Sequence, residues 1–92
     1  MKTDITIQRE LLRNAILLQL ESASPVTLAR TTLRQGIHAL GHEVEETALR
    51  KELHYLEDKE LLSRTRSQVS RGLERYRLTA AGRDYLEEIG LA

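Results

Sequence analysis

The feature that most constrains this chain is a change of hydrophobic period, from 3.6 to 2, that falls at Leu61-Leu62. Upstream, apolar residues recur at helical spacing. Downstream, Leu62-Ser63-Arg64-Thr65-Arg66 and Leu73-Glu74-Arg75-Tyr76-Arg77-Leu78 alternate, with Tyr76 and Leu78 on one face and Arg75 and Arg77 on the other. Between the two runs, residues 67–72 are polar and include Gly72. Two alternating runs about a short polar loop predict a β-hairpin over 62–78.

The helical part divides at its breakers. Ile7, Leu11, Ala15 and Leu18, flanked by Leu12, Ile16 and Leu20, predict a helix over 7–22. Ser22-Ala23-Ser24-Pro25 ends it, because proline disfavours helical geometry in the residue before it. Residues 25–28 read as a short extended segment. Leu33, Ile37 and Leu40 form one stripe of a helix over 30–40, closed by Gly41 in the place of a left-handed C-terminal cap. His42-Glu43-Val44 makes a turn in which Val44 is the apolar plug. Leu49, Leu53 and Leu56 then predict a helix over 45–59, with Leu61 completing its buried edge. Two helices joined by so short a turn make a helix-turn-helix pattern. After the hairpin, Thr79 is placed as an N-cap. A last helix over 80–89 turns Tyr85, Leu86 and Ile89 inward and stops at Gly90.

Ninety-two residues make one domain, 1–92, with a small core. There are no cysteines, which excludes a disulfide scaffold and a cysteine-ligated zinc site. The longest apolar run, residues 15–18, is far short of the roughly 18 residues a membrane span requires. The first residues are too charged for a signal peptide, so a soluble cytoplasmic protein is expected. Fourteen basic residues balance fourteen acidic ones, but they are segregated. Residues 1–42 carry a net +2, residues 43–60 a net −4, and residues 63–77 hold five arginines against one glutamate. A basic patch beside an acidic helix is expected.

The order α-β-α-α-β-β-α resembles the winged helix-turn-helix domain, a mainly α fold with a small β-hairpin (α+β). Residues 49–62, LRKELHYLEDKELL, resemble the recognition helix and its exit in bacterial winged-helix regulators. Tyr76-Arg77-Leu78-Thr79-Ala80-Ala81-Gly82-Arg83 resembles the passage from their wing into the closing helix. One departure is Glu60, where many relatives have glycine before the paired apolar residues. A narrower resemblance covers roughly residues 12–80. Ala39-Leu40-Gly41-His42 and Leu53-His54-Tyr55-Leu56 look like a small protein of Mu-like bacteriophages and prophages. That likeness implies a phage-encoded cytoplasmic protein found among head- and packaging-related genes, and it supplies no catalytic residues.

The winged-helix resemblance implies double-stranded DNA as the partner, bound by a homodimer whose subunit contacts come from helix one and the last helix. On the wing, Arg64, Arg66, Arg71, Arg75 and Arg77 suit phosphates or a minor groove. On the recognition helix, Thr47, Arg50, Lys51 and His54 face outward if the leucines face inward, and Arg50 or Lys51 suits guanine edges. Glu45 and Glu46 at the start of that helix, and Glu57, Asp58 and Glu60 at its end, count against phosphate contact. The alternative partner is a protein, including a phage protein, since an acidic helix beside a basic wing suits a charge-complementary surface. A DNA-packaging accessory would combine the two. His38 and His42 are four apart but lack further ligands in register, so no metal and no cofactor are expected. The five glycines are dispersed, without a phosphate loop, and no enzyme is expected.

Overall fold

The computed structural model describes residues 4–66 and 73–92. Its elements run α1 (Asp4–Ala23), β1 (Leu28–Ala29), α2 (Arg30–Ala39), α3 (Glu46–Asp58), β2 (Leu62–Arg66), β3 (Glu74–Leu78) and α4 (Ala80–Glu88). The strands form one antiparallel sheet in the order β1-β3-β2. This is the expected mainly α architecture with a β-hairpin, and the period change at Leu62 marks its boundary.

The core is built from one stripe of each helix and one face of the hairpin. Ile16, Leu17 and Leu20 of α1, Leu33 and Ile37 of α2, and Leu49, Leu53 and Leu56 of α3 are buried with Leu62, Tyr76, Leu78 and Leu86. Removing such side chains from water supplies about 1.5–3 kcal/mol each, the main favourable term in so small a chain. Val44 is buried and plugs the turn between α2 and α3. That turn is braced from α2: Arg34 Nε donates to the Val44 carbonyl at 3.0 Å, and His38 Nε2 lies 3.2 Å from the same oxygen.

Three helices end in the same way. Past α2, the His42 N–H bonds the Ile37 carbonyl and the Gly41 N–H that of His38. Past α4, Leu91 and Gly90 repeat the pattern onto Leu86 and Glu87, and past α3, Leu61 and Glu60 repeat it onto Leu56 and Glu57. This double closure needs a left-handed residue after the C-cap. Gly41 and Gly90 supply it with φ of 92° and 80°; at the third end Glu60 adopts φ 62°. The departure noticed at Glu60 therefore falls where the backbone favours glycine.

Several expectations are corrected. The extended segment lies at Leu28–Ala29, not 25–28, because the Val26 N–H is used to close a turn onto the Ala23 carbonyl. Only from Leu28 is the chain beside β3, with Leu28 opposite Tyr76 and Ala29 opposite Arg75. The Ser24–Pro25 peptide is cis. The helix expected over 7–22 spans Asp4–Ala23, and the helices expected over 30–40, 45–59 and 80–89 span Arg30–Ala39, Glu46–Asp58 and Ala80–Glu88. Leu40 follows the last residue of α2 and is 56% exposed, so it leaves the expected stripe. Leu11 is 51% exposed and Ile5 and Ile7 are exposed with it, so the apolar face of α1 continues beyond the core it helps to build. Ile89 likewise faces solvent, as the C-cap after α4, while Leu86 takes the inward position.

Candidate nucleic-acid interface

The exposed face of α3 follows from its buried one. With Leu49, Leu53 and Leu56 in the core, Thr47, Arg50, Lys51 and His54 are all exposed on the other side. Glu52 is the exception to a purely apolar inner face. It is buried against α1, where its Oε2 accepts from Arg13 Nε at 2.5 Å. The Arg13 guanidinium also stacks 3.9 Å from the Tyr55 ring centre, so α1 grips α3 through one polar clamp.

The wing register decides which arginines join α3. Leu62 pairs with Leu78, Arg64 with Tyr76 and Arg66 with Glu74, whereas Ser63 pairs with Arg77 and Thr65 with Arg75. Cross-strand partners share a face and successive residues alternate. Arg64 and Arg66 therefore lie on the face of Tyr76 and α3, and Arg75 and Arg77 on the opposite face. Arg75 is engaged there by Thr27, the residue before β1: its Nε donates to Thr27 Oγ1 and its Nη2 to the Thr27 carbonyl, both at 2.7 Å. Arg77 is exposed. Arg71 lies outside the described residues. The arginines that composition groups together are thus two pairs with different surroundings.

Between α3 and the wing lies an open cleft of about 400 Å³. Arg50, Lys51, His54 and Glu57 line it from α3, Arg64, Glu74 and Tyr76 from the sheet, and Arg30 from the start of α2. Thr47 is exposed on the same helix, one turn before Arg50 and Lys51. Arg30 was not among the residues that sequence singled out, and no local pattern marks it. The fold brings it here because β1 pairs with β3 and leads directly into α2.

The basic groups in this cleft are interleaved with acids. Arg64 Nε donates to Glu57 at 3.1 Å and its Nη1 to Glu74 at 2.8 Å, and these carboxylates, Glu57 first, hold the guanidinium pKa above its ordinary value. Arg30 Nη2 donates to Glu46 at 3.0 Å. Glu46, which sequence counted against phosphate contact, is thereby neutralised by a neighbouring helix. His54 lies 3.9 Å from Glu57 and 3.7 Å from Asp58 on its own helix. Arg50 and Lys51 form no ion pair among the described residues. Among the same residues no cluster of three or more His, Asp or Glu side chains could hold a metal ion, and no helix is long and apolar enough to cross a membrane.

Helix-turn-helix, closing helix and hairpin wing together define a winged helix-turn-helix fold. The chain is similar in structure to a PadR-like transcription factor from Bacteroides fragilis (TM-score 0.75, 24% identity), over 90% of this chain and 80% of that one. A PadR family transcription regulator from Clostridium difficile is similar over 85% of this chain and 81% of its own, with TM-score 0.72 and 21% identity. A transcriptional regulator from Thermoplasma acidophilum matches at TM-score 0.76 and 16% identity, over 96% of this chain and 83% of that one. At these identities the likeness establishes the fold. No protein-family model matches the chain, and no curated protein matches it. The resemblance to a Mu-like phage protein finds no counterpart in these three structures.

Proposed function

We propose that this chain is a DNA-binding winged-helix transcription regulator of the bacterial cytoplasm, working as a homodimer. The observation that carries the reading is the shared cleft: exposed Arg50, Lys51 and His54 of α3 face Arg64 of the wing across about 400 Å³ of open space. In this reading α3 enters the major groove. Arg50 and Lys51 reach base edges, Thr47 meets a phosphate or a thymine methyl, and Arg64 and Arg66 hold the backbone beside the groove. Arg77, on the far face of the hairpin, contacts a different stretch of backbone. Arg75 serves chiefly to fix the wing to β1. The solved structures with the same fold are described as transcription regulators, which supports the reading.

The dimer rests on apolar surface that the core leaves uncovered. Ile5, Ile7 and Leu11 of α1 are exposed, as are Ile89 and Leu91 after α4. Arg83 reaches Ser24 and Tyr85 reaches Asn14, so α4 runs antiparallel along α1 and carries Ile89 toward the Leu11 end. A second copy packed there would cover both groups, and sedimentation should find two chains per particle.

DNA binding is tested by anisotropy with pooled random-sequence duplexes at low and physiological salt. Binding that weakens steeply with salt supports the reading, because each neutralised phosphate releases counterions. No binding at any salt rejects it. The adaptor alternative, a protein partner matched to the mixed charges of the cleft, would then lead, and the phage-morphogenesis role implied by the sequence resemblance would be one form of it.

A further inference from the structure

The wing carries its own counter-anion. Glu74 Oε1 accepts from Arg64 Nη1 at 2.8 Å and lies 3.8 Å from Arg66 Nε. Its Oε2 accepts from the Tyr76 hydroxyl at 3.0 Å and lies 3.9 Å from Arg30 Nη1. One carboxylate thus faces three guanidinium groups, drawn from β2 and from the start of α2, and two of them, Arg30 and Arg64, line the cleft. Glu57 holds the remaining edge of Arg64, and Glu46 that of Arg30. A hairpin charged merely to stay soluble has no need of a carboxylate focused between three arginines and fixed by a tyrosine. A carboxylate and a phosphate diester offer a guanidinium the same kind of paired oxygen acceptors.

We propose that Glu74 is a built-in competitor for nucleic-acid phosphate. It occupies Arg30, Arg64 and Arg66 in the free protein, and a backbone phosphate must displace it to reach them. The inference rests on the DNA-binding reading of the same cleft and adds a function to an acidic residue within it. Arg64 and Arg66 are partly to largely exposed, so the pairs are weak enough to exchange. The consequence is selectivity. Phosphate contacts, common to every sequence, are weakened, while Arg50 and Lys51, which have no acidic partner among the described residues, keep their full reach toward base edges.

The test compares Glu74→Gln with Glu88→Gln, which removes the same charge from an exposed position on α4. With a random-sequence duplex, Glu74→Gln is expected to bind about three- to tenfold tighter than wild type and to show a steeper salt dependence, as more counterions are released. Glu88→Gln should stay within about twofold, the general effect of one charge. The same variants are eluted from heparin resin, which needs only a polyanion and no DNA site. There Glu74→Gln should elute at higher salt than Glu88→Gln. Co-elution of the two, or earlier elution of Glu74→Gln, overturns the competition. Heparin retention that shifts as expected without binding to any duplex would instead reject the DNA reading. Circular dichroism checks folding. Should Glu74→Gln unfold, Glu57→Gln frees the other edge of Arg64 and is expected to shift elution in the same direction, and no shift overturns the proposal.

Discussion

The Thr79 hydroxyl joins the exit of α3 to the start of α4: it donates to the Glu60 carbonyl at 2.7 Å and accepts from the Gly82 N–H at 3.0 Å. One side chain thus caps α4 and holds the turn that leads from α3 into the wing. Thr79→Ala should lower stability by about 1–2 kcal/mol, a lost cap with the tie to Glu60 added. Thr79→Ser retains both bonds and should stay within about 0.5 kcal/mol of wild type. Urea unfolding followed by circular dichroism measures both.

At the same junction two glycine changes should act in opposite directions. Glu60 pays for a left-handed backbone that glycine adopts freely, so Glu60→Gly should raise stability by about 1 kcal/mol. Gly82 lies where a Cβ would overlap the Leu61 carbonyl oxygen and crowd Leu78 Cδ1. Gly82→Ala must push α4 from the α3 exit and should cost about 1–3 kcal/mol, although alanine is the better helix former. Thermal melts of the two variants should move to either side of wild type.

The Arg13–Glu52 clamp gives a third test. Arg13→Ala leaves the buried Glu52 carboxylate without its cation and removes the stacking on Tyr55, for an expected loss of about 1.5–3 kcal/mol. Glu52→Gln keeps an acceptor for Arg13 and should cost less. Equal losses in urea unfolding would show that the charge pair alone, rather than the hydrogen bond or the stacking, carries the clamp.

Acid should weaken the base of the wing. The Tyr76 hydroxyl, followed by Arg64 and Arg66, holds the Glu74 carboxyl below its ordinary pKa. A carboxyl whose pKa is lower folded than unfolded contributes stability above the unfolded value, and that contribution is lost as pH falls through the folded one. Tyr76→Phe removes the largest cause, so the Glu74 carboxyl resonance should titrate at higher pH in that variant. An unchanged NMR titration would contradict the assignment.

Much of the fold was legible because its signals are local. Alternation after Leu62, glycine at the left-handed positions 41 and 90, and a threonine before α4 each act within a few residues. Helical spacing also identified Leu33, Ile37, Leu49, Leu53 and Leu56 as core. It cannot show how far neighbouring elements reach, which is why helical spacing points Ile7, Leu11, Leu40 and Ile89 inward although the fold leaves them exposed. The placement of β1 depended on how the Val26 N–H is spent. At the site, the outward face of α3 followed directly from its leucines. The separation of Arg64 and Arg66 from Arg75 and Arg77 was available from alternation, but charge counting alone conceals it. Arg30 carried no such signal, because only the pairing of β1 with β3 brings it near Glu74.

The central claim is that α3 and the wing bind DNA through one cleft. Its most direct test is the slope of log affinity against log salt for a random-sequence duplex, in wild type and in a variant carrying Arg50→Ala and Lys51→Ala. Each phosphate contact contributes roughly −0.9 to such a slope, and base contacts contribute affinity without it. The account predicts a steep negative slope for wild type. It also predicts weaker binding by the double variant at every salt concentration, with a residual slope from Arg64 and Arg66. Binding that is insensitive to salt, or unaffected by the loss of both side chains, would contradict it.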